Sequence, residues 1–320
     1  MSVVFVTGAT GVVGAAVVQA LLQRGARVRA LVRRPEAALP AGVTSVHGAL
    51  ADEEALRRGL EGAHAVVHLA AKLHLNDPSP ALADEYRRVN TEATLRLASL
   101  AREAGVGRFA FASTINVYGP SAGRAPWTED DRPRPATLYA RTKLEAEAGV
   151  RELPEGVVFR LAAVYGPGMK GNYPSLARLL ARGVRVLPGS GTNRRTLVHV
   201  ADAAQAFALA ATGEVPAGLY NLTDGRVHTF DAIVRSLQVA VGVKPGVHYV
   251  PTAVVRPVLA VPEALARAVG RRVPARALLD KLVEDVAVAG DTLQAASPYR
   301  PQYADLRDGW GASALRQARS

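Results

Sequence analysis

Tyr139 and Lys143 stand four residues apart and carry the plainest chemistry in this chain. On a helix that spacing puts both on one face. An ammonium near a phenol stabilises the phenolate and lowers its pKa. Tyrosine then becomes an acid or base usable near neutral pH. A hydroxyl able to meet the same substrate oxygen lies upstream at Thr114, with Ser113 a close second, in the run Ser113-Thr114-Ile115-Asn116-Val117-Tyr118-Gly119. A Tyr-x-x-x-Lys by itself is usually a surface pair. It gains meaning beside a site for a hydride carrier, and the N-terminus offers one.

An apolar run over 3–6 leads into Thr7-Gly8-Ala9-Thr10-Gly11-Val12-Val13-Gly14, and a helical pattern follows to Gly25. Strand, glycine turn and helix in that order form a dinucleotide fingerprint. Gly8 permits the tight turn, Gly11 lets a pyrophosphate approach the backbone, and Gly14 lets the helix pack closely. The free N–H groups of the helix start, from Thr10 through Val12 and Val13, then face the phosphates. About twenty residues past the glycines, an NAD site carries an acid for the ribose 2′-OH. Arg33 and Arg34 occupy that place here. A guanidinium grips a 2′-phosphate with paired hydrogen bonds, so NADP(H) is favoured over NAD(H).

The elements that must position these groups alternate. Strands are expected over 27–32, 43–47, 65–71 and 109–112, with helices over 51–60 and 84–104 between them. Such alternation with short links argues for a parallel, doubly wound sheet. The small residues Ala70 and Ala71 after Leu69 leave room for a flat cofactor, and Leu50 completes the cofactor set. The Pro- and Gly-rich stretch 119–136 reads as a long active-site loop. Further on, strands are expected over 157–161, 196–200 and 220–222, helices over 175–181, 201–211 and 229–241, and a loop over 166–173.

At 320 residues, with 49% hydrophobic and 21% charged residues, the composition is globular. The absence of cysteine excludes disulfides and thiolate chemistry. The seven histidines show no metal spacing, and His68 and His199 read as core or strand-end residues. No metal is expected. Net charge is +11, but the basic residues are scattered, so the reading is a solvated basic surface rather than a nucleic-acid or membrane site. No secretory signal and no apolar run of membrane-spanning length is found, which makes the cytoplasm the default compartment.

The chain resembles the extended short-chain dehydrogenases/reductases of the NAD-dependent epimerase/dehydratase group. The resemblance rests on residues 7–14, the strand end at His68–Ala71, the set Thr114, Tyr139 and Lys143, and the runs Arg160-Leu161-Ala162-Ala163-Val164-Tyr165-Gly166-Pro167-Gly168 and Arg195-Thr196-Leu197-Val198-His199-Val200-Ala201-Asp202. It implies a Rossmann domain over residues 1–166 that takes back about 194–224. A smaller, discontinuous α/β substrate domain comes from the rest of 167–320. It also implies catalysis by Thr114, Tyr139 and Lys143, a homodimer, and a small-molecule nucleotide-sugar substrate with UDP-sugar chemistry at C4. Lys72, Ser113, Thr114, Asn116, Lys170, Asn172, Arg194 and Arg195 are the expected substrate contacts, the last two as cations for a diphosphate. The pattern departs from many sugar epimerases at Ala49, Asn116 and Ala163. Three outcomes share the machinery: a 4-epimerase, a 4-ketoreductase, and a reductase of a non-nucleotide ketone or hydroxysteroid-type alcohol.

Overall fold

A computed structural model describes residues 2–34, 37–73, 82–169, 171–268 and 275–311. In chain order the first half runs β1 (Val3–Thr7), α1 (Val12–Gln23), β2 (Arg27–Val32), β3 (Val43–His47), α2 (Glu53–Leu60), β4 (Ala65–His68), α3 (Ala83–Tyr86), a π turn (Arg87–Glu92), α4 (Ala93–Glu103), β5 (Arg108–Thr114), α5 (Leu138–Arg151) and β6 (Gly156–Leu161). The second half runs β7 (Ala163–Tyr165), α6 (Asn172–Ala181), β8 (Val186–Pro188), β9 (Arg194–His199), α7 (Val200–Thr212), β10 (Gly218–Leu222), β11 (Val227–Thr229), α8 (Phe230–Ala240), β12 (His248–Val250), α9 (Thr252–Ala268), α10 (Ala275–Val283), α11 (Asp291–Ala296) and α12 (Leu306–Gly309).

Seven strands form one parallel sheet in the order β10-β6-β5-β4-β1-β2-β3. The order in which successive strands are added reverses between β1 and β4. In such sheets the ligand crevice lies beyond the carboxyl ends of the strands at that switch. Both faces are covered, so side chains alternate between two apolar layers. Val4 and Val6 of β1, Val67 of β4 and Phe159 of β6 pack with Val17, Leu21 and Phe207 of α1 and α7. Phe5, Val66, Phe111 and Val158 point the other way, onto Leu56, Leu97, Ala146 and Val150 of α2, α4 and α5.

The remaining strands form β11-β9-β7 and β12-β8. They enclose a third core with Tyr165, Leu180, Leu197, Ile233, Leu237 and Trp310. The doubly wound sheet is as expected, with the bounds of β2 and β3 unshifted and the others shifted by up to three residues. Three expectations need correction. The helix over 84–104 contains a π turn. The 65–71 strand stops at His68, because Leu69 onward bends over the glycine turn. Asn172 and Tyr173 open α6 instead of lying in a loop. The short strands β7, β8, β11 and β12 were not anticipated, since three residues carry too little periodicity to register.

The glycine turn tolerates almost no added atom. A Cβ on Gly8, whose φ is +77°, would lie 2.7 Å from the Ala70 nitrogen. A Cβ on Gly14 would lie 2.0 Å from the Gly8 carbonyl oxygen and 2.7 Å from its carbon. Those are backbone atoms and cannot swing aside. Gly14→Ala is therefore expected to cost about 1–3 kcal/mol or more, seen as a lower thermal midpoint together with loss of dinucleotide binding. Gly107→Ala is the control, because its Cβ would meet only the His64 carbonyl at 3.6 Å. An unchanged midpoint in Gly14→Ala would refute the packing argument.

Candidate active site

Five strand ends build the cleft. After β1, Gly8 turns the chain, and the Gly11 N–H closes the turn on the Gly8 carbonyl at 3.0 Å. Gly11 then caps α1 without any side-chain hydrogen bond to the helix start. The first N–H groups of α1, at the half-buried Val12 and Val13, are left for a ligand. Thr10 and Gly11 are exposed beside them. After β4, Leu69, Ala70 and Ala71 line the crevice as half-buried residues, and Leu50 is half-buried after β3. Arg33 and Arg34 are exposed past the end of β2. A cradle that a Cβ would fill, an uncapped helix start and small residues opposite together fit a dinucleotide.

At the end of β5, Thr114 is 7% exposed. Its Oγ1 accepts the Asn116 N–H at 3.3 Å and caps a 3-10 turn, Ile115–Val117. Among the described residues no acceptor takes its hydroxyl hydrogen, which leaves it to donate. Ser113 points the opposite way, as strand alternation requires. It is buried and its hydroxyl donates to Glu147. Ser113 is thus corrected from substrate contact to an interior hydrogen-bond donor. Asn116 is exposed at the cleft rim.

Tyr139 and Lys143 enter on α5, which Thr137 caps by accepting the Ala140 N–H at 3.2 Å. Tyr139 is half-buried, and among the described residues its hydroxyl makes no hydrogen bond. Lys143 is 1% exposed. Its Nζ lies 4.0 Å from the Phe111 ring centroid, a cation–π contact, and among the described residues it makes no hydrogen bond or ion pair. The electrostatics differ from expectation. Burial, with a contribution from the nearby Tyr86, pushes the Tyr139 phenol up. Burial pulls the Lys143 amine down to about 7, against the opposing charge of Glu147. Desolvation disfavours the charged form of each group. In the free protein it outweighs the expected depression of the phenol.

A buried hydrogen-bond chain ties these parts together. Thr94 donates to the Asn90 carbonyl at 2.7 Å, so its oxygen is left to accept from His68 Nε2 at 2.9 Å. The other ring nitrogen, Nδ1, then accepts from Thr7 Oγ1 at 2.6 Å. His68 is thereby fixed as one neutral tautomer. Burial and the charge of Lys143 hold its pKa down at about 3. The π turn places the Asn90 amide where it accepts the Lys72 N–H at 2.7 Å and donates to Thr142 Oγ1 at 3.2 Å. Thr142 in turn donates to the Tyr139 carbonyl at 2.9 Å.

The expected substrate cations are engaged elsewhere. Lys72 pairs with Glu85. Arg194 donates to Asp285 at 2.7 Å and to the Arg124 carbonyl at 2.6 Å. Arg195 donates to the carbonyls of Lys281 and Leu282. Arg194 and Arg195 are therefore corrected to ties holding the C-terminal segment. Burial pushes Asp285 up, but Arg194 and the Gly123 N–H outweigh that and hold it below the usual carboxylate range. Asn172 is exposed at the start of α6, and Lys170 lies outside the described residues. Among the described residues no cluster of three metal-ligating side chains exists, and no helix is long and apolar enough to cross a membrane. Sequence reasoning missed Asn90, Glu147 and Arg160. The i,i+4 spacing of Lys143 and Glu147 was the available signal.

The profile of the NAD dependent epimerase/dehydratase family matches residues 4–222. A UDP-glucose 4-epimerase of Vibrio cholerae is 34% identical over 205 residues, 62% of this chain and 62% of that relative's length. A 3-diazoavenalumate denitrifying reductase of a Streptomyces species is 32% identical over 96% of this chain and 99% of its own. The solved structure of MoeE5 in complex with UDP-glucose and NAD is 28% identical, covers 99% of each chain and superposes with a TM-score of 0.76. Glycine cradle, parallel sheet and sequence agree, and this chain belongs to the NAD-dependent epimerase/dehydratase family of extended short-chain dehydrogenases/reductases.

Proposed function

We propose that this enzyme acts at C4 of a nucleotide sugar, as a UDP-sugar 4-epimerase or a 4-keto-sugar reductase, with NADP(H) preferred over NAD(H). The observation that carries the reading is a phenol and an amine, Tyr139 and Lys143, on one face of α5 without hydrogen-bond partners among the described residues. Support comes from the relative that is a UDP-glucose 4-epimerase and from the neighbour holding UDP-glucose and NAD.

The backbone of Gly8, Thr10, Gly11, Val12 and Val13 would hold the pyrophosphate. Arg33 and Arg34 would take the 2′-phosphate, Leu50 and Leu69–Ala71 would line the flat faces, and Lys143 would hold the nicotinamide ribose. When bound, the dinucleotide supplies or accepts the hydride at the reacting carbon. Tyr139 passes a proton to or from the oxygen on that carbon, and Thr114 donates a hydrogen bond that orients it. A protonated Lys143 stabilises the phenolate when Tyr139 has given up its proton. Division into a cofactor unit over 1–166 with 194–224 and a substrate unit from the remainder belongs to this reading, as does a homodimer. The second reading is reduction of a non-nucleotide ketone. It is favoured by the internal engagement of Arg194 and Arg195 and by the reductase matched over nearly the full chain.

Three measurements follow. Tyr139→Phe is expected to lower turnover by about 10²–10⁴-fold and leave dinucleotide affinity nearly unchanged. Retained turnover in that variant rules the scheme out. The double change Arg33→Ser, Arg34→Ser is expected to reduce kcat/KM with NADPH by about 10- to 100-fold while sparing NADH. An equal loss with both cofactors would remove the NADP preference. Denaturing the purified protein identifies any retained dinucleotide, and a panel of UDP-sugars with NADPH is then followed by absorbance. Turnover of simple ketones with no response to any nucleotide sugar would leave the second reading in place.

A further inference from the structure

One buried acid is unused by the mechanism above. Glu147 lies four residues beyond Lys143 on α5, on the same helix face. Both are shut away from solvent, Glu147 at 2% and Lys143 at 1% exposure. The Glu147 carboxylate is held firmly in place. It accepts from the Ser113 hydroxyl, from Arg160 Nε at 3.1 Å and from Arg160 Nη2 at 2.7 Å. The Arg160 guanidinium lies 4.6 Å from the Tyr118 ring centroid, and the Tyr118 hydroxyl donates to Asn221 at 2.9 Å. The acid therefore has a fixed address beneath the site.

The surroundings of Lys143 contain little else to hold a charge. Tyr139 and Glu147 come from its own helix, Phe111 from β5 and His68 from β4; beyond them, Tyr86 of α3 lies near Tyr139 and Arg160 of β6 lies on Glu147. The hydrogen-bond chain keeps His68 neutral, and burial keeps both phenols neutral. Arg160 already pairs with the carboxylate. Among these groups Glu147 is the sole anion. An ammonium buried against a phenyl ring and without a carboxylate near it gives up its proton at neutral pH.

We propose that Glu147 is a positioning residue for Lys143: clamped between Ser113 and Arg160, its carboxylate favours the protonated form of the Lys143 amine against burial and so sets the charge available to Tyr139. This rests on Lys143 being the lysine of the reacting site. In agreement, the Glu147 charge opposes the downward pull of burial on Lys143. The geometry also explains why Ser113 is turned away from the cleft. Its hydroxyl anchors the acid, and Thr114 is left as the hydroxyl facing the reacting oxygen.

The test reads Lys143 directly. The chain has only five lysines, at 72, 143, 170, 244 and 281, so [13Cε]lysine NMR of the full-length protein, with Lys143→Arg for assignment, resolves its titration without any substrate. In Glu147→Gln the midpoint of Lys143 is expected about one pH unit or more below wild type. The double variant Glu147→Gln, Arg160→Met relieves the stranded guanidinium and is expected to show the same drop. Where turnover is measurable, its alkaline limb should move down with the midpoint. A merely structural role would lower the thermal midpoint and leave the Lys143 titration in place, and that outcome overturns the proposal. So does a wild-type midpoint well below neutrality, a result that needs no folded variant. Because the titration needs no sugar, failure of the nucleotide-sugar reading leaves this result intact.

Discussion

The cleft depends on a file of buried polar side chains hydrogen-bonded to one another and to nearby backbone groups. The Ala70 N–H reaches Thr7 Oγ1 at 3.4 Å, Thr7 meets His68, His68 meets Thr94, and Thr94 meets the Asn90 carbonyl. The Asn90 amide then continues to Thr142, and Thr142 to the Tyr139 carbonyl. Thr7, His68, Asn90, Thr94 and Thr142 are all buried, so an unpaired group anywhere along the file would cost its full desolvation penalty, about 1–3 kcal/mol. That penalty locks the strand before the glycine turn to the helix carrying the phenol. The two halves of the reacting site cannot shift independently.

Electrostatics follows from the same burial. A site dry enough to strengthen hydrogen bonds also resists charge on its own acid and base. Tyr139 is pushed towards the phenol and Lys143 towards the amine. Each becomes easier to ionise only when an opposite charge is near. By spacing alone the pair reads as self-sufficient, with the ammonium lowering the phenol. In the fold the lysine itself needs support, and the nearest source is an acid one turn further along α5.

The glycine turn and the Tyr139–Lys143 pair were legible because each is local. A turn that admits no Cβ must be written in glycine, and two groups on one helix face must be written at a fixed spacing. The alternation of strands and helices was legible for the same reason. What escaped depends on contacts between residues distant in the chain. Ser113 reads as a cleft hydroxyl until the pairing of β5 with β6 and the docking of α5 turn it to Glu147. Asn90 reads as one polar residue in a long helix until the π turn and the docked α5 bring its amide to Lys72 and Thr142. Arg194 and Arg195 read as free cations because their partners lie some ninety residues further on.

That last case constrains recognition. The segment from Asp285 onward crosses the molecule as a strap. Val286 and Val288 bridge to Arg195 and Trp127, Tyr299 donates to the Thr223 carbonyl, Asp202 accepts the N–H groups of Gln302 and Tyr303, and the Trp310 indole donates to Ser236. Asp285 lies at the head of the strap. It holds Arg194 while accepting from Ser121 and Gly123 of the long loop after β5. An anionic substrate drawn to Arg194 would therefore compete with a carboxylate already in place. Any movement of that guanidinium would be felt in the loop that follows Thr114. One carboxylate thus joins β9, the loop after β5 and the head of the strap, and Arg194 is spent on that junction rather than left as an unattached surface cation.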